Sequence, residues 1–384
     1  MSKCIYCGNN PIPHRIHKFY SSIDICLEPI RRNFSQSRFG RATDKLTTWI
    51  ALGLFHLLRP LGLIKINRDI NLVPFPRAKA LWQEAVDRGI ELEEIKLFNR
   101  SIDLYRTKIR GKQMYFMNLP RKQDVATSNL AWIDDKYLLK KRLLDNRFPV
   151  PAGGAYTNLS DAVKTFQALD KPVIVKPRSG SRGRHTTTNI YSEDDFIQAF
   201  KIAKQLCYWV IVEEHLFGDV QRGTVIGGKL VGVLGGSPPR VTGDGRQTIA
   251  ELIKIKDAGR PDKVKETKVN PYFMQRANLT METVPENGKA VDLSEKIGVN
   301  YGGTSYDCTP ETHPETKQML QHAATVLDVS IVGFDFIVPD ITRTYKEQKS
   351  GIIEANGAPF IQLHHDPLYG QSINAAKYVW DLIT

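Results

Sequence analysis

Two apolar runs late in the chain carry oxygen-bearing side chains of the kind that hold a hard metal ion. Asp335 sits inside Gly333-Phe334-Asp335-Phe336-Ile337, and Glu354 and Asn356 close Gly351-Ile352-Ile353-Glu354-Ala355-Asn356. Residues two apart on a strand share a face, so Glu354 and Asn356 project together. Asp335 on a neighbouring strand would complete the set. Two carboxylates and an amide oxygen suit Mg²⁺, which combines a few side chains with substrate phosphates. The plainer alternative is a set of polar residues on an edge strand.

An upstream segment points the same way. In Val173-Ile174-Val175-Lys176-Pro177-Arg178-Ser179-Gly180-Ser181-Arg182-Gly183-Arg184, an apolar strand delivers a lysine and then a basic loop with glycines. Such glycines let backbone N–H groups approach phosphate oxygens while the lysine adds a point charge. The loop lacks the Gly-Lys-Ser/Thr ending of a Walker A sequence. A third piece, Val210-Ile211-Val212-Glu213-Glu214-His215-Leu216, is a strand ending in acidic residues. Its backbone would hold an adenine edge while a carboxylate takes the exocyclic amine.

In this order and spacing, the three pieces resemble the ATP-grasp superfamily, and in particular the ATP-grasp region of cyanophycin synthetase. The resemblance runs from about Asp134 to the end of the chain. It rests on Asp135-Lys136, Phe148 to Gly153, Val173 to Gly183, Arg240 to Ile249 with Glu251-Leu252-Ile253, and Gly302-Gly303-Thr304 with Asp307. His313-Pro314-Glu315 and Glu354 to Pro359, with His364, Pro367, Gly370 and Asn374, complete it. It implies an α/β (α+β) ATP-grasp fold, in which two α+β subdomains grip ATP, preceded by a small basic N-terminal α/β domain. It implies that Lys136 and Lys176 contact ATP phosphates and that Ser179, Gly180, Ser181, Gly183 and Arg184 form the loop covering them. Glu213, Glu214 and Leu216 correspond to the adenine hinge. Asp335, Glu354 and Asn356 correspond to the ligands of two Mg²⁺ ions, with Mn²⁺ as the alternative. Arg222 and Arg240 correspond to arginines near the transferred phosphate or the substrate carboxylate.

The chain also departs from that pattern. His185 stands where a third glycine is expected. Val220 stands where an acidic residue often holds the ribose, leaving Asp219 as the substitute. Gln362 and Cys308 replace arginines. These changes bear on the substrate pocket more than on the nucleotide site. No Mur-ligase-like domain follows before Thr384, so the chain is not expected to be a complete cyanophycin synthetase.

The net charge of +12 is uneven: residues 1–131 contribute +11, from 22 Lys/Arg against 11 Asp/Glu. This implies either a basic surface or a field that draws an acidic substrate, tRNA or an anionic membrane. The aromatic residues there follow no nucleic-acid motif. Five cysteines without paired spacing indicate a reducing compartment, hence a cytoplasmic protein. Cys4, Cys7 and His14 interrupt any apolar start, so no signal peptide is expected.

Three regions follow. Residues 1–70 form a basic segment in which Cys4 and Cys7, with His14, His17 and Cys26, offer a zinc site, although the second half lacks the usual paired spacing. Residues 46–58 are strongly apolar but shorter than the ~20 residues a membrane span needs. They suit a buried helix, with an interfacial membrane helix or a homo-oligomer contact as alternatives. Residues 71–131 read as a small domain: a helix from Arg77 ended by Gly89, a strand Leu92 to Leu97, and a hairpin turning at Arg110-Gly111-Lys112. Residues 132–384 hold the ATP-grasp part, with a lid at about 148–215. Helices are expected over 133–144, 193–206, 248–254, 313–327 and 371–382. Strands are expected over 173–177, 209–214, 222–226, 229–234, 331–338 and 350–356, and Gly227-Gly228 supplies a hairpin turn.

The chemistry implied is carboxylate–amine ligation of an amino acid or peptide. The carboxylate attacks the γ-phosphate of ATP, and an amine displaces phosphate from the acyl phosphate. The protein's task is positioning and charge neutralisation. Lys136, Lys176 and Arg222 would offset the phosphate charge, and loop closure would exclude water. No general base stands out: His364 is a candidate, or else a structural hydrogen-bonding residue. Cys207 and Cys308 lack the paired histidine of a covalent nucleophile. The alternatives are an ATP-grasp kinase acting on a small acceptor, or a membrane- or RNA-associated protein with a regulatory ATP site.

Overall fold

The computed structural model describes residues 4–7, 11–36, 58–121, 132–181 and 183–384. The apolar stretch 46–58 lies outside these residues except for Leu58, as does Arg182 of the basic loop. No described helix is long and apolar enough to cross a membrane.

Among the described residues the strands pair antiparallel, in four sheets. The first comprises β1 (Ile64–Asn67), β2 (Leu92–Leu97), β3 (Arg100–Ile109) and β4 (Lys112–Met117) in that spatial order. Arg110 and Gly111 both take positive φ, the geometry of a two-residue hairpin turn. β1, which begins before residue 71, forms the edge of this sheet.

The second sheet lies within residues 148–215, the region expected to be the lid, and is called the lid below. It comprises β5 (Gly153–Tyr156), β6 (Val173–Pro177), β7 (Thr187–Ile190) and β8 (Val210–Glu214), in the spatial order β5-β8-β6-β7. Alternate residues of β6 and β8 (Val173, Val175, Val210 and Val212) pack with Phe166, Phe196 and Phe200 of helices Leu159–Ala168 and Glu193–Leu206. The period of two therefore turns Ile174, Lys176, Ile211 and Glu213 to the opposite face.

The third sheet is central. β9 (Val220–Ile226) and β10 (Lys229–Ser237) are joined through Gly227-Gly228, both at positive φ. A short two-stranded ribbon, β11 (Arg240–Thr242) with β12 (Ala290–Asp292), follows. β13 (Thr304–Asp307), β14 (Ile331–Ile337) and β15 (Gly351–Asn356) complete the central order β13-β10-β9-β14-β15. Its strands are apolar on both faces because helices cover both. Val225, Val332, Phe334 and Phe336 meet Leu320 and Ala323 of helix Pro314–Val326, together with Leu139 and Leu143 of helix Lys136–Asp145. Ile226 and Ile331 meet Trp380 of helix Ala375–Ile383 and Leu81 of helix Pro76–Asp87. That second cluster joins the N-terminal sheet to the central one.

The N-terminal helix His14–Gln36 lies against the lid: His17 Nδ1 bonds the Leu206 carbonyl at 3.2 Å. Its start had no legible periodic pattern in the sequence.

Gly153 has φ +142° opposite Glu213, and a Cβ there would collide with the Val212 carbonyl. Gly153→Ala is therefore expected to lower stability by about 1–3 kcal/mol, measured by urea unfolding.

Candidate functional site

Lys176 lies diagonally across from Glu213 in the lid sheet, where Ile174 opposes Glu213 and Lys176 opposes Ile211. The two side chains form an ion pair. Lys140, one turn into helix Lys136–Asp145, pairs with the other oxygen of the same carboxylate. Glu213 is 2% exposed. Burial alone would raise its pKa, but Lys176 and Lys140 outweigh it and hold the carboxyl below its usual range.

Lys136 is the first residue of its helix, which Asp135 caps by accepting from the Tyr137 and Leu138 amides at 3.0 and 3.1 Å. Asp135 also receives the Arg178 guanidinium at 2.8–3.0 Å, which ties the helix start to the end of β6. Lys136 Nζ donates to the Gly180 carbonyl at 2.6 Å and lies 3.7 Å from Glu354 Oε1.

The opposite wall comes from β15 through Ile353 and Glu354; Asp335 of the neighbouring β14 and Asn356 are not among the lining residues. Asp335 stands level with Glu354, and Gly333 with Asn356. The register then shifts between Asp335 and Phe336, leaving Ile353 as the extra residue of a β-bulge. A bulge re-aims side chains. Ile353 and Glu354, though adjacent, both line the same cleft. Asp335 also stands level with Arg222 on β9, whose guanidinium forks onto it at 2.6 and 2.7 Å. Burial would lower the Arg222 pKa, but Asp335 and Glu354 outweigh it and raise it. Asn356 has a buried amide nitrogen with no hydrogen-bond partner, which marks a polar site with an incomplete partner set.

The resulting cleft of about 140 Å³ is lined by Lys136, Lys176, Gly180, Ser181, Gly183, Arg184 and Glu354. Ile174, Pro177 and Ile353 supply its apolar surface. In the loop, Arg184 Nη1 donates to Ser181 Oγ at 3.1 Å. Gly183 has φ +60°, and a Cβ there would come within 2.9 Å of Lys296 Nζ.

Other residues singled out from the sequence lie around this cleft or are committed elsewhere. Glu214 accepts from the Ala152 amide at 3.0 Å and pairs with Lys349 at 2.6 Å, and Leu216 is buried. Neither hinge carboxylate is thus free to meet an exocyclic amine. Asp219 accepts from the Tyr306 hydroxyl at 3.1 Å and lies 3.8 Å from Arg240, which forks onto Asp292 at 2.6 and 3.2 Å. His364 is 1% exposed, bonds Thr224 Oγ1 through Nε2 at 2.7 Å, and is structural rather than a base at the cleft. Burial pushes the Cys308 thiol up to about 12. Of the candidate zinc ligands, Cys4, Cys7 and His14 come together, and the fourth neighbour is His185. His17 instead bonds Leu206, and exposed Cys26 is outside the cluster. Lys140, Ile174 and Ile353 are not among the site residues expected from the sequence. The alternation of β6 signals Ile174, whereas the other two depend on contacts distant in sequence.

No protein-family model matches the chain. It is 30% identical over 338 residues to the glutathione biosynthesis bifunctional protein GshAB of Clostridium perfringens, covering 83% of this chain and 42% of that protein. It is 31% identical over 326 residues to the cyanophycin synthetase of Trichormus variabilis, covering 82% of this chain and 35% of that one. The chain thus spans less than half the length of these curated relatives. Among solved structures, a bifunctional glutathione synthetase from Pasteurella multocida superposes with a TM-score of 0.55 at 25% identity, over 80% of this chain and 43% of that one.

Two outcomes are expected. Glu213→Gln leaves two lysines facing a neutral amide and should cost about 3–5 kcal/mol of stability, read by urea unfolding. Burial, reinforced by Arg222, pushes the His364 pKa from 6.5 down to about 4. Between those values the unfolded chain takes up a proton that the folded chain refuses, so the His364 contribution to stability is lost as pH falls. His364→Gln should flatten that slope in urea midpoints recorded across the window.

Proposed function

We propose that the chain, which is similar over 83% and 82% of its length to a GshAB protein and a cyanophycin synthetase, is an ATP-grasp enzyme, an ATP-dependent carboxylate–amine ligase acting on an amino acid or peptide. The observation that carries this reading is the convergence of Lys136 and Lys176, from two different elements, on the cleft that also receives Glu354.

Charge supports the assignment. Lys136, Lys140, Lys176, Arg178 and Arg222 stand against Asp135, Glu213, Asp335 and Glu354. With Arg184 of the loop, which also lines the cleft, the protein alone leaves about two positive charges for a triphosphate, and the rest would come from added cations. Asp335, Glu354 and Asn356 fit a hard divalent ion by donor chemistry. Bound there, Mg²⁺ would supply Lewis-acid neutralisation of phosphate oxygens. Lys136 and Lys176 take the remaining phosphate charge, and Ile174 and Ile353 offer apolar surface to the purine. With both hinge carboxylates committed, the adenine edge falls to the backbone between Glu214 and Leu216. Asp219 is the residue assigned to the ribose.

The substrate carboxylate attacks the γ-phosphorus, the bond to ADP breaks, and an acyl phosphate forms. A neutral amine then adds to the acyl carbon and phosphate leaves. Arg222 stabilises charge at the transferred phosphoryl group, and Arg240, 39% exposed in its side chain, orients the substrate carboxylate. The loop from Ser179 to Arg184 shields the acyl phosphate from water.

The test is incubation with ATP, Mg²⁺, amino-acid pools and hydroxylamine. Hydroxamate and ADP are expected. AMP would indicate adenylation, and a phosphorylated acceptor without hydroxamate would indicate a kinase. Glu354→Gln should lower turnover by at least ~100-fold with an unchanged urea midpoint. Full activity in that variant would remove the metal assignment.

A further inference from the structure

The basic loop ends in a backbone anomaly. His185 has φ +54°, the left-handed region in which non-glycine residues are uncommon, and it stands where the resemblance predicts glycine. It is also 1% exposed. An outlier of this kind persists only where its surroundings over-determine it. Here the backbone N–H donates to the Tyr6 carbonyl at 3.0 Å, and ring Nδ1 bonds the Ile202 carbonyl at 2.8 Å. Donation from Nδ1 leaves Nε2 with a free lone pair.

That lone pair faces three further donors. Nε2 of His185 lies 3.6 Å from Cys4 Sγ, 3.5 Å from Cys7 Sγ and 3.2 Å from His14 Nε2. Cys7 Sγ lies 3.1 Å from His14 Nε2. All four ligand atoms lie within 4.8 Å of one another. With Zn–S near 2.3 Å and Zn–N near 2.0–2.1 Å, a tetrahedron has S···N edges of about 3.5 Å and N···N edges of about 3.3 Å. The observed separations match those edges to within a few tenths of an ångström. Cys4 and Cys7 have the spacing of a zinc knuckle, and the Cys7 amide donates to the Cys4 carbonyl at 3.1 Å across the turn. Two sulfurs and two imidazoles favour zinc over the oxygen-seeking Mg²⁺. The Nδ1 contact to a backbone carbonyl is the outer support usual for a ligating histidine.

We propose that Cys4, Cys7, His14 and His185 bind one zinc ion, which staples the N-terminal segment to the base of the loop that covers the cleft. His185 directly follows Arg184, so the ion fixes the loop's trailing end while Lys136 holds its middle at Gly180. In this chain a metal ligand thus takes the place of a glycine hinge, and the loop is stiffened from outside the cleft.

The full-length protein, purified without chelators, should release about one zinc per chain to a chromogenic chelator once its thiols are blocked. Replacement with Co²⁺ should give the absorption of a tetrahedral thiolate site. Cys7→Ser and His185→Gln should each lose that spectrum, and Glu354→Gln should keep it. Amide hydrogen exchange across 179–187 should quicken when zinc is stripped from the wild-type protein, a readout that needs no variant to fold. Absence of zinc with no stoichiometric Co²⁺ uptake would overturn the proposal. A weak octahedral Co²⁺ spectrum unchanged in both ligand variants would do the same, as would loop exchange indifferent to stripping. None of these measurements depends on the ligase reading.

Discussion

A single buried carboxylate organises the cleft. Glu213 sits where burial alone would raise its pKa, and Lys176 and Lys140, which flank it, outweigh that and hold it below its usual range. Desolvating three charges is offset only when all three are present and well placed. The lysines come from different parts of the fold, one from the helix that begins at Lys136 and the other from the lid sheet. The triad therefore sets the position of the lid relative to that helix while holding one of the ammonium groups that line the cleft in place. Arg178 on Asp135 repeats the connection a few residues away. Lid and helix are tied by charge here rather than by a shared apolar core.

The opposite wall uses backbone geometry instead. Strict alternation along β15 would send Ile353 and Glu354 to opposite faces, and the single-residue bulge lets both line the cleft. Apolar surface and a carboxylate are thus obtained from consecutive residues. Arg222 on β9 holds Asp335 of β14 in a two-pronged grip, which fixes the orientation of the carboxylate. Under the proposed ligation such preorganisation would matter, because its demands are chiefly electrostatic.

Local signals were readable and distant ones were not. The strand Leu92–Leu97 and the helix Glu193–Leu206 have the bounds expected from their periodicity, and Gly227-Gly228 turns as its composition implies. Strand β1 carries only four residues, too few for alternation to stand out. Strand β5 reads Gly-Gly-Ala-Tyr and has almost no strand propensity; its place is set by pairing with β8. Asp335 and Asn356 do not line the cleft, but Glu354, at the polar end of an apolar run, was legible there. Lys140 was not, since its partner lies 73 positions away. The cysteine cluster shows the same limit: the partners sought nearby were His17 and Cys26, whereas the histidine facing Cys7 lies 178 positions on. Its departure from glycine was visible, but the reason was not.

The contact between Lys136 and the Gly180 carbonyl has a kinetic consequence. At about 140 Å³ the cleft is smaller than the roughly 300–1,000 Å³ of small-molecule sites. Under the proposed function, a triphosphate would enter only as the loop lifts and gives up that hydrogen bond. Association would then proceed in two stages, and its observed rate would level off at high nucleotide concentration, where loop opening becomes the slower event. The lysine proposed to hold the phosphates would act as a latch, making the chain slow to load and correspondingly slow to let go.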